Sequence, residues 1–180
     1  MEDVSPRLSR STPDLGAIFD AHFDHVWNSL RRLGVREADL EDQVHEVFLK
    51  VHSRLGDYDP ARPLKPWIFA FAFRVAADYR RLARHRWEVF GVRLEAVDLA
   101  RTPDECIEAQ EERRLVEAAL EAVELTRRAV LVMHDVEQLP IPQIAESLGV
   151  PTGTAYSRLR LAREDFSSAL RRFRKQRGER

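Results

Sequence analysis

Cysteine is almost absent from this 180-residue chain: Cys106 stands alone, so no internal disulfide can form, and a single thiol fits a reducing compartment. Long apolar runs are absent too. The longest, Trp67 to Phe73, is seven residues, far short of the ~20 that span a bilayer. The opening stretch MEDVSPRLSRSTPD has no hydrophobic core, so no secretory leader is expected. The seven glycines form no phosphate-cradling loop, and no Ser or Cys sits in a recognisable nucleophile setting. Net charge is scarce as well, at −1. These absences argue against membrane insertion, a cofactor, a metal or an enzyme. The expectation is a soluble, cytoplasmic protein.

What is present is charge, at 33% of residues, distributed in blocks. Between Glu95 and Glu124 ten acids face three arginines, a net of −7. From Arg158 to Arg180 nine bases face three acids, a net of +6. A second basic run, Arg80, Arg81, Arg84 and Arg86, lies mid-chain. Such blocks point to a polyanion partner met on two faces with an acidic separator between them. Aromatics are as uneven, with twelve of fifteen between Phe19 and Phe90. The chain reads as two modules of different character.

Residues 1–14 lack periodicity and read as a flexible lead. Leu15, Ile18, Phe19, Phe23, Val26, Trp27, Leu30 and Leu33 recur at helical spacing, closed by Gly34. Leu40, Val44, Val47, Phe48, Val51 and Leu55 predict a second helix, with Asp39 as its cap. The segment GDYDPARPLKP must be a loop, and a third helix runs from about Leu64 to Arg86, apolar on most sides and then strongly basic. Residues 88–104 lose periodicity and form the linker. Beyond it the pattern predicts an acidic helix from Glu105 to Val123, another from Leu125 to Val136, a short segment from Pro142 to Ser147, a turn at Leu148-Gly149-Val150, and a basic helix from Pro151 to Lys175. The fold class is all-α: helical domains at 15–87 and 105–175 joined by the linker, with a basic tail at 176–180.

The most specific motif is IPQIAESLGVPTGTAYSRLRLAR. A helix-turn-helix needs a small residue where its helices cross (Ala145), glycine where the turn reaches φ > 0 (Gly149) and an apolar residue beneath it (Val150). Thr154, Ser157, Arg158 and Arg160 then face outward while Ala155, Leu159 and Ala162 pack inward. A helix of this kind lies in the major groove, where Arg reads guanine edges and Ser/Thr anchor phosphates. The bland alternative is a helical hairpin with a solvated basic face.

The third helix interleaves Trp67, Phe69, Phe71, Phe73 and Tyr79 with Arg74, Arg80, Arg81 and Arg84. Aromatic faces beside cations suit unpaired bases, which stack while arginine follows the phosphates. Trp67, Ile68, Phe71, Ala72 and Val75 share one stripe and read as core; Phe69 and Phe73 form a second stripe. Tyr79 and the arginines are the better candidates for DNA. The polar side of the second helix, with Asp42, His45 and Glu46, reads by itself as a solvated face. His22, His25 and His45 lack the Glu-x-x-His pattern of a di-metal bundle.

With these residues in view, the chain resembles bacterial RNA polymerase sigma factors, specifically the two-domain extracytoplasmic-function group of the sigma-70 family. LEDQVHEVFLKVHSRLGDYDPARPLKPWIFAFAFRVAADYRR resembles that group's core-binding and minus-ten segments, and LTRRAVLVMHDVEQLPIPQIAESLGVPTGTAYSRLRLAR its minus-thirty-five segment. The resemblance implies a docking face for core RNA polymerase at Asp42, His45, Glu46 and Phe48. It implies capture of melted minus-ten DNA by Arg74, Asp78, Tyr79, Arg80, Arg81 and Arg84. It implies reading of duplex minus-thirty-five DNA by Thr152, Thr154, Ser157, Arg158, Arg160 and Arg163. An anti-sigma factor that covers polymerase-binding surfaces is a further implied partner, motivated by the over-apolar third helix. Departures from the group's pattern include His45 in place of Gln, Arg74 in place of Asn, Pro142-Gln143 in place of an acidic pair, and Glu124-Leu125-Thr126 without the usual proline. The runner-up function is a stand-alone helix-turn-helix regulator binding operators as a dimer; a helical metalloenzyme on His22, His25 and His45 ranks third.

Overall fold

A computed structural model describes residues 14–90 and 107–178. The lead before Asp14, the linker from 91 onward, Cys106 and the last two residues of the tail lie outside the described residues. Seven α-helices are described: α1 (Leu15–Arg32), α2 (Leu40–Arg54), α3 (Leu64–Phe90), α4 (Ile107–Glu121), α5 (Leu125–Leu131), α6 (Ile141–Leu148) and α7 (Thr152–Gly178). No strand occurs among the described residues. Helix α3 runs four residues past the predicted Arg86, and the predicted helix 125–136 widens into a π turn at Val132–Val136.

Local chemistry sets these boundaries. Asp14 caps α1 through the amide of Ala17. The C-terminus of α1 closes as a Schellman motif: the amide of Gly34 donates to Arg31 O and that of Val35 to Leu30 O, both at 3.0 Å, with Gly34 at φ 91°. Gly149 ends α6 in the same way at φ 65°, with the Val150 amide on Ala145 O at 2.9 Å. Glu124 caps α5 by accepting from the amides of Thr126 (3.0 Å) and Arg127 (3.2 Å) and from the Thr126 hydroxyl (2.6 Å). Burial raises the Glu124 carboxyl, but these bonds outweigh it and hold it below its ordinary range.

The predicted cap of α2 differs. Asp39 precedes the helix but makes no side-chain bond to it. Its carboxylate accepts from Arg36 Nη2 at 2.8 Å and from the Tyr79 hydroxyl of α3 at 2.6 Å. Phenol and guanidinium are stronger donors than one exposed amide, so the carboxylate turns from its own helix to α3.

The two halves share one apolar core. It runs from Ile18, Val26, Leu30, Val44, Val47, Ile68, Phe69 and Val75 into Leu120, Val130, Met133, Ile144, Ala155 and Leu159. Both aromatic stripes of α3 pack into the core, Phe69 at 0% exposure and Trp67 and Phe73 partly buried against it. Helix α3 packs on α1, α2 and, across the junction, α6. Its all-round apolar start is therefore covered by the chain itself, which removes the sequence-based motive for a covering partner.

Candidate nucleic-acid interface

The surface that would meet DNA is built first from α7. Its inner face buries Ala155, Leu159, Ala162 and Ala169, and the helix packs against α4, α5 and α6. That register turns Thr152, Tyr156, Ser157, Arg160 and Arg163 to solvent, and leaves Thr154 and Arg158 half-buried on one flank. Several of these groups are already engaged. Ser157 Oγ donates back to Gly153 O (3.1 Å) and Thr154 O (2.9 Å), and Arg160 pairs with Glu164 at 2.6 Å. Arg163 is a clamp on the π turn: Nη2 and Nε reach the two oxygens of Asp135 at 2.6 and 3.0 Å. That bond is the main cause of the lowered Asp135 carboxyl. Sequence reasoning passed over Tyr156, whose ring is 59% exposed.

On α3 the predicted minus-ten residues separate into free and occupied groups. Arg74 is exposed, with its guanidinium 5.7 Å from the Phe71 ring centre. Arg81 holds Asp78 at 3.0 Å on the helix surface, and Arg84 is exposed. Tyr79 is half-buried, donating to Asp39 and accepting from Arg36 at 3.0 Å; burial first, then the Asp39 bond, raises its phenol. Arg80 reaches across the junction to Glu121 at 2.5 Å. In the preceding loop Arg62 pairs with Glu146 of α6 at 2.6 Å. Between that loop, the start of α3 and α6 lies a cleft of about 150 Å³ lined by Arg62, Trp67, Phe71, Arg74, Gln143 and Glu146. Acids of the C-terminal half thus occupy Arg62 and Arg80, and also Arg31 (Glu117) and Arg32 (Glu137) on α1.

Acidic α4 treats the basic end of α7 similarly, with Arg174 on Glu112 and Arg177 on Glu111. The opposed charge blocks of the sequence thus meet in space.

The outer face of α2 presents Asp42 and His45 to solvent and Glu46 paired to Lys50 at 2.8 Å. Phe48, predicted on this face, lies beneath it: it is 5% exposed, with its ring 4.7 Å from Phe19. It sits one helical step from the outer stripe, and its size draws it into the core. Leu49 takes the outward place at 66% exposure, the most exposed large hydrophobic side chain among the described residues. No group of three His, Cys, Asp or Glu able to hold a metal occurs among the described residues. Nor is any helix among them long and apolar enough to cross a membrane.

A helix-turn-helix behind an arginine-rich helix, on one all-α chain, defines a DNA-recognition protein. Comparison with known proteins narrows this. Residues 18–87 match Sigma-70 region 2 and residues 113–166 match Sigma-70, region 4. The chain is 32% identical over 165 residues to the ECF RNA polymerase sigma factor SigL of Mycobacterium tuberculosis, covering 90% of this chain and 92% of SigL. Two solved structures share the fold. CnrH in complex with the cytosolic domain of CnrY gives a TM-score of 0.64 at 23% identity, covering 87% of this chain and 86% of CnrH. RpoE in complex with the anti-sigma factor NepR from Bartonella quintana gives 0.71 at 18%, covering 88% and 97%. The chain belongs to the ECF sigma factors of the sigma-70 family and directs promoter-specific transcription.

Proposed function

We propose that α2 docks on core RNA polymerase through Asp42, His45, Glu46 and Leu49, that α3 with its preceding loop captures melted minus-ten DNA, and that α7 reads the minus-thirty-five duplex. The observation that carries this division is the register of α7, which aims a small polar and aromatic face outward from a formed helix-turn-helix. The chain performs no catalysis of its own in this reading and works in the cytoplasm.

The closed arrangement supports a condition on activity. Arg80 and Arg62 cannot follow phosphates while Glu121 and Glu146 hold them. Core polymerase has to separate the halves, and two modest DNA modules then act together through effective concentration. An anti-sigma partner would act on the same equilibrium by favouring the closed state; the CnrH and RpoE relatives were solved with CnrY and NepR.

Run-off transcription with core polymerase on genomic promoter fragments tests the reading. Defined start sites should appear only when the chain is added. Absence of any start site, with none of the chain co-purifying with core, would overturn it.

A further inference from the structure

Resting on the promoter-reading role of α7, we propose that Tyr156 is a specificity residue that reads a thymine of the minus-thirty-five duplex through its C5 methyl group. Three observations carry this. Tyr156 is the fifth residue of α7, within the N-terminal turns that a recognition helix inserts into the major groove. It is 59% exposed, second only to Leu49 among the large hydrophobic side chains of the described residues, and none of the described hydrogen bonds involves its hydroxyl. Of the neighbouring predicted contacts, Ser157 bonds the helix backbone, Arg160 pairs with Glu164 and Arg163 with Asp135, while Thr152, one turn back, is exposed.

The surroundings fit a base edge. A helical side chain leans toward the preceding turn, which here holds Thr152 and Gly153, and at Gly153 a β-carbon would meet nothing within 4 Å. The groove floor can approach there without a clash. Of the four bases, thymine alone offers a methyl group in the major groove, the natural partner of an aromatic edge. Arginine-type guanine reading is not available to this position, since a phenol has no bidentate fork.

Deoxyuridine differs from thymidine only by that methyl, so it isolates the contact. Holoenzyme is assembled from core polymerase and the full chain, and each thymine of the duplex segment it protects is replaced singly by deoxyuridine. At one position the replacement should weaken wild-type binding about fourfold, the worth of one buried methyl group. Tyr156→Phe should keep that sensitivity, and Tyr156→Ala should lose it while keeping a normal helical spectrum, because the side chain is exposed. Equal sensitivity in wild type and Tyr156→Ala, or none at any thymine, overturns the assignment. A wild-type holoenzyme that protects no duplex segment would sink the promoter reading and this assignment with it; protection without the methyl effect sinks this assignment alone.

Discussion

Glu121 bridges Arg80 and Arg128: one carboxylate oxygen lies 2.5 Å from Arg80 Nη1 and the other 2.7 Å from Arg128 Nη1. Arg128 is 1% exposed, and its remaining donors cap the end of α4 at Glu121 O (2.8 Å) and Val123 O (2.9 Å). One side chain therefore closes a helix terminus and, through Glu121, joins the C-terminal half to a minus-ten arginine. Arg128→Met nearly keeps the volume but leaves those carbonyls unmatched and Glu121 with Arg80 alone. It should cost about 2–4 kcal/mol in urea unfolding. A loss under half a kcal/mol would show that water replaces the guanidinium freely.

Releasing the arginines is a separate matter from stability. Glu121→Gln with Glu146→Gln keeps the shapes and removes the charges that occupy Arg80 and Arg62. The free double variant should bind single-stranded DNA several-fold more tightly at low salt, with a steeper salt dependence. Unchanged affinity would mean that the arginines are already available in the closed form.

Gly34 sits under the same cluster. Its φ of 91° disfavours any side chain, and an added β-carbon would lie 2.2 Å from Arg80 Nη1 and 2.5 Å from Glu121 Oε2. Gly34→Ala should lower stability by about 1–2 kcal/mol from the backbone alone, with the displaced Arg80 adding to it. Gly56→Ala, facing open space, is the control and should change little. Equal melting temperatures for the two variants would contradict the account.

Tyr79, a minus-ten candidate from the sequence, also braces α3 against the turn before α2. Tyr79→Phe should remove about 1 kcal/mol by stranding part of the Asp39 and Arg36 bonding. If transcription collapses while the melting curve stays unmoved, Tyr79 touches DNA and the brace is secondary.

Acid should loosen the junction in two stages. His22 titrates below its ordinary 6.5, first because it is buried and then because His25 and Lys65 stand near. A histidine depressed in the folded state resists a proton the unfolded chain accepts, so stability falls as pH drops below 6.5. Glu137, 3.3 Å from His25 and 3.4 Å from Arg32, is held low chiefly by the His25 bond. Its contribution is present above the ordinary 4.5 and is lost as pH falls through the depressed value. His22→Gln should abolish the first stage and leave the second. Urea titrations at a series of pH values check this; an unaltered first stage would assign it elsewhere.

Periodicity and turn chemistry made the helices and the helix-turn-helix legible, because Gly34, Gly149 and the α7 stripe act over a few residues. Long-range partners were not legible. Asp39 looks like a cap until Tyr79, forty residues away, claims it. Arg80 and Arg163 look like free DNA cations until Glu121 and Asp135 are placed beside them. Phe48 and Leu49 differ by one residue of register, so a small error in the apolar stripe exchanges core for surface. Tyr156 carried a visible signal, an aromatic at an outward angle of a basic helix, that attention to arginine obscured.

Footprinting one promoter with core polymerase, with the free chain, and with both together tests the central claim most directly. The account predicts protection of two separated segments only when both are present, one duplex and the other with bases reactive as single strands. Equal protection of a palindromic site by the free chain, unaltered by core polymerase, would contradict it.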